Sequence, residues 1–531
     1  MPEPFYITTP IYYVNDKPHI GHCYSTLVAD SVARFMRLAG RDVFFLTGTD
    51  EHSERVASAA VERSLTPIQW ADDNAAAFKE AFAWMGFSND DFIRTTESRH
   101  IDRVKQYIRT LMDKGDVVLG EYAGWWDHSQ EEYLTETVAR DAEYKSPVTG
   151  KPLVKRTEKN YFFKLSAYQD KLLAHIEAHP EFIRPEARRN EVLGRLRDGL
   201  QDVPISRAAP AEGAWGITMP DDLSHVVYVW IDALFNYMST VDTDDRRTYW
   251  PAQVHVLAKD ILWFHAVIWP CLLMALGKPL PECVYAHSFW IREGRKMSKS
   301  LGNFVDMPTV HAYADRFSID GVRWYLLTQG PLGATDADFT YSKFLEVYNA
   351  DLANGFGNAV SRVTNMIAKY FDGVVPEPEG GAGANLGIDW PALVKEKSGE
   401  ARAAWARVDI GGALHAAMTV SRAVDQFVND TAPFKLAKDP ANLPKVGTIL
   451  YQCAEALRIA AYLLSPAMPT SMCDAIGRLG YAPEGTPSYD TLMTWGQLAP
   501  GSTVRKGDAL FPRADADADP PVATPETAGS P

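Results

Sequence analysis

Two short runs carry residue types that handle phosphate: His19-Ile20-Gly21-His22 near the start of the 531-residue chain, and Lys296-Met297-Ser298-Lys299-Ser300 in its middle. Two imidazoles can donate hydrogen bonds to phosphate oxygens as charge builds on them in a transition state. Gly21 lets a flat ring approach the backbone. Two lysines three apart on a loop after Gly294 can clamp a triphosphate. A loop can also close after binding and open for release. Read singly, each run has a plain alternative: a pair of surface histidines, or a solvated basic turn.

The surrounding pattern places both runs. Residues 4–50 read as strand, turn, helix, strand. Phe5 to Thr9 is β-prone, and residues 10–18, with Asn15, Asp16 and two prolines, read as a turn. From His22 onward, Leu27, Val28, Val32, Phe35 and Met36 recur at helical spacing until Gly40, before the buried-type run Val43-Phe44-Phe45-Leu46. Such a unit predicts a parallel sheet with a right-handed crossover. It puts the histidines at a helix N-terminus beyond a strand, where free N–H groups and a partial positive charge suit phosphate. Residues 54–115 read as helical. Residues 116–225, rich in Gly, Pro, Tyr and charge, read as an insertion. Strand signals resume at 226–230, 254–257 and 284–286, around an apolar helix over 261–275. Beyond about 345 only helices are expected, over 350–371, 388–408, 411–430 and 444–465, with a Gly/Pro loop at 376–387.

The expected fold is therefore α/β: a doubly wound parallel, Rossmann-like sheet with an inserted connective domain, followed by an all-α helical bundle. The boundaries read as 1–115 and 226–344 for the two catalytic halves, 116–225 for the insertion, 345–512 for the bundle and 513–531 for a disordered tail of Ala, Asp, Pro and Thr. The chain has five cysteines and no Cys-x-x-Cys pair, which argues against a disulfide framework or a cysteine zinc site. No long apolar run predicts a membrane span, and the N-terminus lacks signal-peptide features, so a cytoplasmic location is expected. A net charge of −15 repels phosphate over the whole molecule. That argues against non-specific coating of DNA or RNA, while leaving room for one shaped RNA met through a local patch.

Found together in one α/β domain, the His-x-Gly-His and Lys-Met-Ser-Lys-Ser runs resemble those of the class I aminoacyl-tRNA synthetases. The flanking segments resemble the methionyl branch: Thr9-Pro10-Ile11-Tyr12-Tyr13-Val14-Asn15, Thr47-Gly48-Thr49-Asp50-Glu51-His52, Tyr228-Val229-Trp230-Ile231-Asp232-Ala233-Leu234, and Lys259-Asp260-Ile261 before His265. The similarity runs from residue 5 to about 512. It implies ATP and magnesium, activation of L-methionine to methionyl-adenylate with loss of pyrophosphate, and transfer to the 3′ end of tRNA(Met). Catalysis would rest on positioning and charge stabilisation, with no protein nucleophile. His19, His22, Lys296 and Lys299 would be catalytic. The ATP site would add Gly21, Asp260, Met297, Ser298 and Ser300.

Methionine offers a flexible thioether and little polar grip, so its site needs aromatic and aliphatic walls. The resemblance implies Ile11, Tyr13, Trp230, Ala233, Leu234, Tyr237, Ile261 and His265 as those walls, with Tyr13 and His265 aimed at the sulfur. Asp50 would pair with the α-ammonium. Taken alone, Asp50 also reads as a helix N-cap, and Trp230 or Tyr237 as ordinary core. Arg207 matches a charged active-site residue. Ala258 stands where the family carries glycine.

Many relatives in this family hold zinc in the insertion with cysteines. Here Asp127 and Gln130 stand in place of one Cys-x-x-Cys, and the arm around Ser146 to Gly150 has no cysteine or histidine. His128 and Asp127 make a poor closed ligand set, so no structural zinc and no other metal site is expected. Trp125, Trp126, Tyr133 and Tyr144 are expected to form a small apolar core instead. The insertion is too short for a separate hydrolytic editing domain. In the bundle, Asn358 and Arg362 share a helix face and match the family's anticodon-reading pair. Phe434, where the family tends to have tryptophan, would stack on an anticodon base. A small nucleotidylyltransferase would share the histidine motif but lack the bundle. With no further domain expected after 512, the chain reads as a monomer without DNA or membrane partners.

Overall fold

A computed structural model describes residues 2–129, 132–134, 136–209, 215–297, 303–515 and 519–521. At its centre lies a six-stranded parallel sheet. In chain order its strands are β1 (Pro4–Tyr13), β2 (Asp42–Asp50), β3 (Asp91–Arg94), β7 (Ile183–Arg184), β12 (Val254–Ala258) and β13 (Val284–His287). Their spatial order is β3-β2-β1-β12-β13-β7. Side chains alternate between two cores, as a period of two requires. Phe5, Ile7, Val43 and Phe45 face one core, and Tyr6, Phe44 and Leu46 the other. Chain order reverses between β1 and β12. In a parallel sheet that is where a crevice opens beyond the carboxyl ends of the strands.

The first core is covered by α1 (Ile20–Leu38), α2 (Glu54–Glu62) and α3 (Pro67–Trp84). The second is covered by α4 (Ser98–Asp113) and by helices that follow the insertion. The edge strand β3 was expected to be helical. It is four residues long and pairs with β2, where a Cβ added at Gly48 would lie 2.0 Å from the Ile93 carbonyl oxygen. Only glycine permits that approach, and the signal was too short to compete with its helical neighbours. β1 also runs further than expected. It crosses Pro10 through a register shift, where no ladder N–H is needed, and Ile11 to Tyr13 pair with Gly48 to Asp50.

The insertion holds an antiparallel sheet of β4 (Val117–Asp127), β5 (Glu132–Leu134), β6 (Val154–Phe163) and β8 (Val203–Pro204), beside the short helix α5 (Glu136–Asp141). Its later part returns to the main body. α6 (Gln169–Ala178) and α7 (Glu186–Leu196) flank β7, which pairs with β13 in the central sheet. A small sheet of β9 (Ser206–Ala208), β10 (Thr218–Met219) and β11 (Asp222–Val227) follows. The strand expected over 226–230 thus ends at Val227, and Trp230 sits on α8 (Val229–Ser239). Nearly all of α8 is buried, so its apolar residues show no helical stripe. The helix expected over 261–275 begins with a π-helical turn, Phe264–Ile268, and continues as α9 (Trp269–Leu276).

β14 (Trp290–Arg292) and β15 (Arg295–Lys296) form a hairpin, with β14 also paired to β16 (Ala337–Asp338). α10 (Met307–Phe317) and α11 (Ile319–Gln329) lead into the bundle. Its members are α12 (Tyr341–Val347), α13 (Gly357–Tyr370), α14 (Trp390–Ala406), α15 (Ile410–Thr431), α16 (Pro433–Leu436), α17 (Leu443–Leu464), α18 (Pro469–Arg478) and α19 (Tyr489–Met493). The bundle shares the first core: Phe35 of α1 stacks on Trp405 and meets Tyr489 edge-on. In the same helix Asp30 accepts from Arg323 of α11 at 2.7 Å, both fully buried. Arg323 also donates to the carbonyls of Ala467, Pro466 and Met85. Residue 513 was expected to begin a structureless tail. Ala514 is instead held at both backbone atoms by the Asn349 amide, at 3.0 Å each. Of residues 516–531, only 519–521 are described.

Candidate active site

A cavity of about 790 Å³ lies beyond the carboxyl ends of β1, β2 and β12. Its lining includes Ile11, Tyr13, Asp50, Trp230, Ala233, Leu234, Tyr237, Ile261 and His265, together with His19, Gly21, His22, Asp260, Lys296 and Met297. Every expected methionine-side residue and every described ATP-side residue is therefore brought to one site. Ser298, Lys299 and Ser300 lie outside the described residues.

His19 is the N-cap of α1. Its Nδ1 accepts from Gly21 N at 3.0 Å, and His22 Nδ1 accepts from His19 N at 3.3 Å, closing a capping box. A ring nitrogen that accepts from N–H carries no proton, so each neutral ring bears its proton on Nε2. The two rings stack with centroids 3.7 Å apart. Burial, and then the neighbouring His19, hold His22 well below the ordinary imidazole range. It is a neutral donor. The need for Gly21 is also sharper than expected: a Cβ there would lie 2.9 Å from the His19 ring. The glycine makes room for the histidine's own return onto the helix.

The chain that resumes at Asn303 is anchored near these histidines. Ile20 N donates to Val305 O, His19 bridges Asp306, and Asp306 caps α10. The Asn303 amide donates to the carbonyls of Arg292 and Lys296, joining Asn303 to the β14–β15 hairpin. Lys296 is exposed, with its ammonium 5.5 Å from the Phe289 ring centroid. Asp260 opens to the cavity from the turn after β12. Crowding by the walls raises its carboxyl above the ordinary range, with its own backbone N–H and Lys296 opposing. Ala258 has φ −88°, which any residue adopts, so the methyl is accommodated without strain.

At the other end the walls are aromatic. Trp230 stacks on Phe264 at 4.0 Å and meets Tyr13 edge-on at 5.9 Å. The role expected of His265 needs correction. Its Nδ1 faces the Ile261 carbonyl at 2.9 Å and so donates there; its Nε2 then accepts from the Tyr237 hydroxyl at 2.7 Å. Burial pushes this imidazole down to about 4. With both nitrogens used, His265 offers no N–H to a sulfur and instead fixes Tyr237. Asp50 is buried at the end of β2 and is not a helix cap, because Ser53 caps α2. Beside it, the Asp232 carboxylate bridges His52 and His100 at 2.7 Å each, joining the end of β2 to α4 and α8. Burial opposes ionisation of Asp232, but His52 and His100 outweigh it and lower the carboxyl.

Sequence reasoning missed Phe264, Ser288, Phe289, Trp290 and Val148, which also line the cavity. Residues 288–290 follow the end of β13. Their position at the end of a parallel strand was a usable signal. Arg207 lies outside the lining and is paired with Glu54.

In the insertion, Asp127 Oδ1 accepts from Ser129 N and Oγ, and Ser129 Oγ meets Thr149 Oγ1 at 2.7 Å and Ser146 Oγ at 3.2 Å. His128 turns away to Glu54. Trp126 is buried, and Trp125 packs on Tyr144 at 4.5 Å. Gln130 and the Tyr133 side chain lie outside what is described. In the bundle, Asn358 is exposed and Arg362 bonds to Asp425 and Asn429. Phe434 is 43% exposed, on the short helix just beyond Asn429.

Comparisons with known proteins agree. The model of the class I tRNA synthetases (M) matches residues 5–142 and 141–364. The methionine–tRNA ligase of Caldanaerobacter subterraneus is 42% identical, over 97% of this chain and 80% of the relative. That of Bacillus subtilis is 39% identical, over 97% and 78%. Among solved structures, Mycobacterium tuberculosis methionyl-tRNA synthetase in complex with methionyl-adenylate superposes with a TM-score of 0.88 at 37% identity, covering 96% of this chain and 100% of that one. The apo form of that enzyme gives 0.82 at 34%, covering 97% and 99%.

Proposed function

The chain belongs to the methionine–tRNA ligases, a class I tRNA synthetase family, and from that premise we propose how its residues divide the reaction. The enzyme joins methionine to tRNA at the expense of ATP. In the proposed assignment the triphosphate lies at the start of α1, and the methionine side chain lies against Trp230 and Phe264. The convergence of fifteen residues, nine expected on the methionine side and six on the ATP side, on one cavity at the switch point carries this reading.

A methionine carboxylate oxygen attacks the α-phosphorus, and the bond to pyrophosphate breaks. The Nε2–H groups of His19 and His22 donate to the phosphate oxygens, where added charge makes them strongest in the transition state. Lys296, with Met297 beside it, meets the leaving pyrophosphate; Lys299, Ser298 and Ser300 complete that loop. Asp260 accepts from the ribose. Asp50 holds the α-ammonium, kept in place by the His52–Asp232–His100 bridge. The sulfur lies against aromatic faces, a contact methionine favours. Ile11, Ala233, Leu234 and Ile261 exclude water, while Tyr237, fixed by His265, closes the far wall. A 3′-terminal ribose hydroxyl of tRNA then attacks the acyl carbon and AMP leaves. Magnesium would enter with the triphosphate, whose oxygens and retained waters are the ligands that ion prefers. Pyrophosphate exchange tested with each of the twenty amino acids should occur with methionine; its absence there would sink the reading.

We also propose catalytic halves at 1–115 and 226–344, the insertion at 116–225 and the anticodon-binding bundle at 345–512. The changes from parallel sheet to antiparallel sheet to helices support this division, although β7 interleaves the insertion with the main sheet. Asn358 and Arg362 would read anticodon base edges and Phe434 would stack on one. Phe434→Ala should raise the apparent KM for tRNA by about fivefold, the low end of a lost base stack, with exchange intact. A collapse of exchange would refute the placement. The zinc-free insertion rests on the Asp127, Ser129, Ser146 and Thr149 hydrogen bonds. Elemental analysis of the purified enzyme should find substoichiometric zinc; one zinc per chain would count against it. A cytoplasmic monomer fits the cellular supply of ATP and tRNA, and sedimentation tests the monomer.

A further inference from the structure

The insertion touches the cavity in one place: among the described residues between 116 and 225, only Val148 lines it. Val148 is 59% exposed. The rim residues Asn15, Asp16 and Lys17 are exposed and polar. A single exposed valine is ordinary on a protein surface; what sets Val148 apart is its place at the mouth of this cavity.

The turn that carries Val148 is closely fastened. Ser146 N donates to Lys151 O and Gly150 N to Ser146 O. Ser146 Oγ accepts from Val148 N and Thr149 N. Ser129 joins Ser146 and Thr149, and buried Asp127 accepts twice from Ser129. Four polar side chains thus hold one apolar side chain over the mouth.

We propose that Val148 caps the activated intermediate against water, and that the Asp127–Ser129–Ser146–Thr149 knuckle is the frame that positions the cap. The inference rests on the cavity holding methionyl-adenylate. That intermediate is a mixed anhydride. If water attacks its acyl carbon, the bond to the phosphate oxygen breaks, giving methionine, AMP and a proton before tRNA arrives. An apolar side chain at the mouth offers water no hydrogen bond and lowers its occupancy there. The knuckle's hydrogen bonds keep that side chain from turning outward, and no metal is needed to do so.

The test reads AMP formed without tRNA, relative to pyrophosphate exchange, at saturating methionine, ATP and magnesium. Val148→Gly should raise this ratio by roughly an order of magnitude, and Val148→Ile should leave it unchanged. Being exposed, Val148 can be replaced without emptying a core. Ser146→Ala removes the acceptor for two turn amides and should raise the ratio with Val148 present. An unchanged ratio in Val148→Gly, with exchange intact, overturns the cap. A raised ratio in Val148→Gly but not in Ser146→Ala overturns the frame. If the unaltered enzyme shows no exchange with methionine, the reading of the cavity fails instead.

Discussion

Replacing His22 by alanine lowers the rate constant for methionine-dependent pyrophosphate exchange by about 10²–10³-fold, the cost of losing one preorganised donor to a developing oxyanion. The donor is preorganised in three ways. Its tautomer is set by the backbone N–H of His19, its ring is stacked on His19, and burial keeps it neutral. A neutral donor does not bind pyrophosphate as a full charge would, so its effect concentrates in the transition state. The KM for methionine should therefore stay near its original value while kcat falls, the pattern of an interaction made only in the transition state. His22→Gln, which can present an amide N–H, should recover part of the loss. A His22→Ala enzyme within threefold of the original kcat would show that the nucleotide lies elsewhere.

The second large effect is on stability. Arg323→Met removes the guanidinium that meets Asp30 and three carbonyls inside the protein. Burial alone would raise the Asp30 carboxyl. Arg323 and then Arg34 outweigh it, so the group is held below the ordinary range and ionised. Without Arg323, Asp30 keeps only Arg34 and Ser88, and the carbonyls lose their donors. Breaking a buried pair on one side costs about 3–5 kcal/mol. The loss should appear as an earlier first unfolding transition in urea. Asp30→Asn with Arg323→Met should be milder than Arg323→Met alone, because the stranded charge is gone. Equal midpoints for Arg323→Met and the original enzyme would refute the role of the pair.

Much of this site was legible because its parts sit at strand ends of an alternating α/β pattern. His19 and Asp260 follow strands of the parallel sheet and Asp50 ends one, so the sheet brings them together, while Lys296 ends the short hairpin strand β15. What was illegible depended on contacts that spacing does not encode. Trp230 was taken for a strand residue because a helix buried on every side loses its periodicity. The donor role given to His265 failed because a ring's free nitrogen depends on its neighbours, here Ile261 O and Tyr237. Gly21 was read as space for a ligand, whereas the nearest atom is the chain's own His19. Val148 gave no local sign at all, since its distance from the motifs in sequence hides its place at the mouth.

The helix that begins at His19 ends against residues made much later. Phe35 lies 454 residues before Tyr489, and both belong to one core. During synthesis at about 5–20 residues per second, that separation lasts on the order of 20–90 seconds. For that interval Phe35 lacks part of the aromatic surface that covers it, and Asp30 waits through a shorter one, of 293 residues, for Arg323. The far face of the helix that carries the nucleotide end is therefore completed by residues synthesised after the whole parallel sheet.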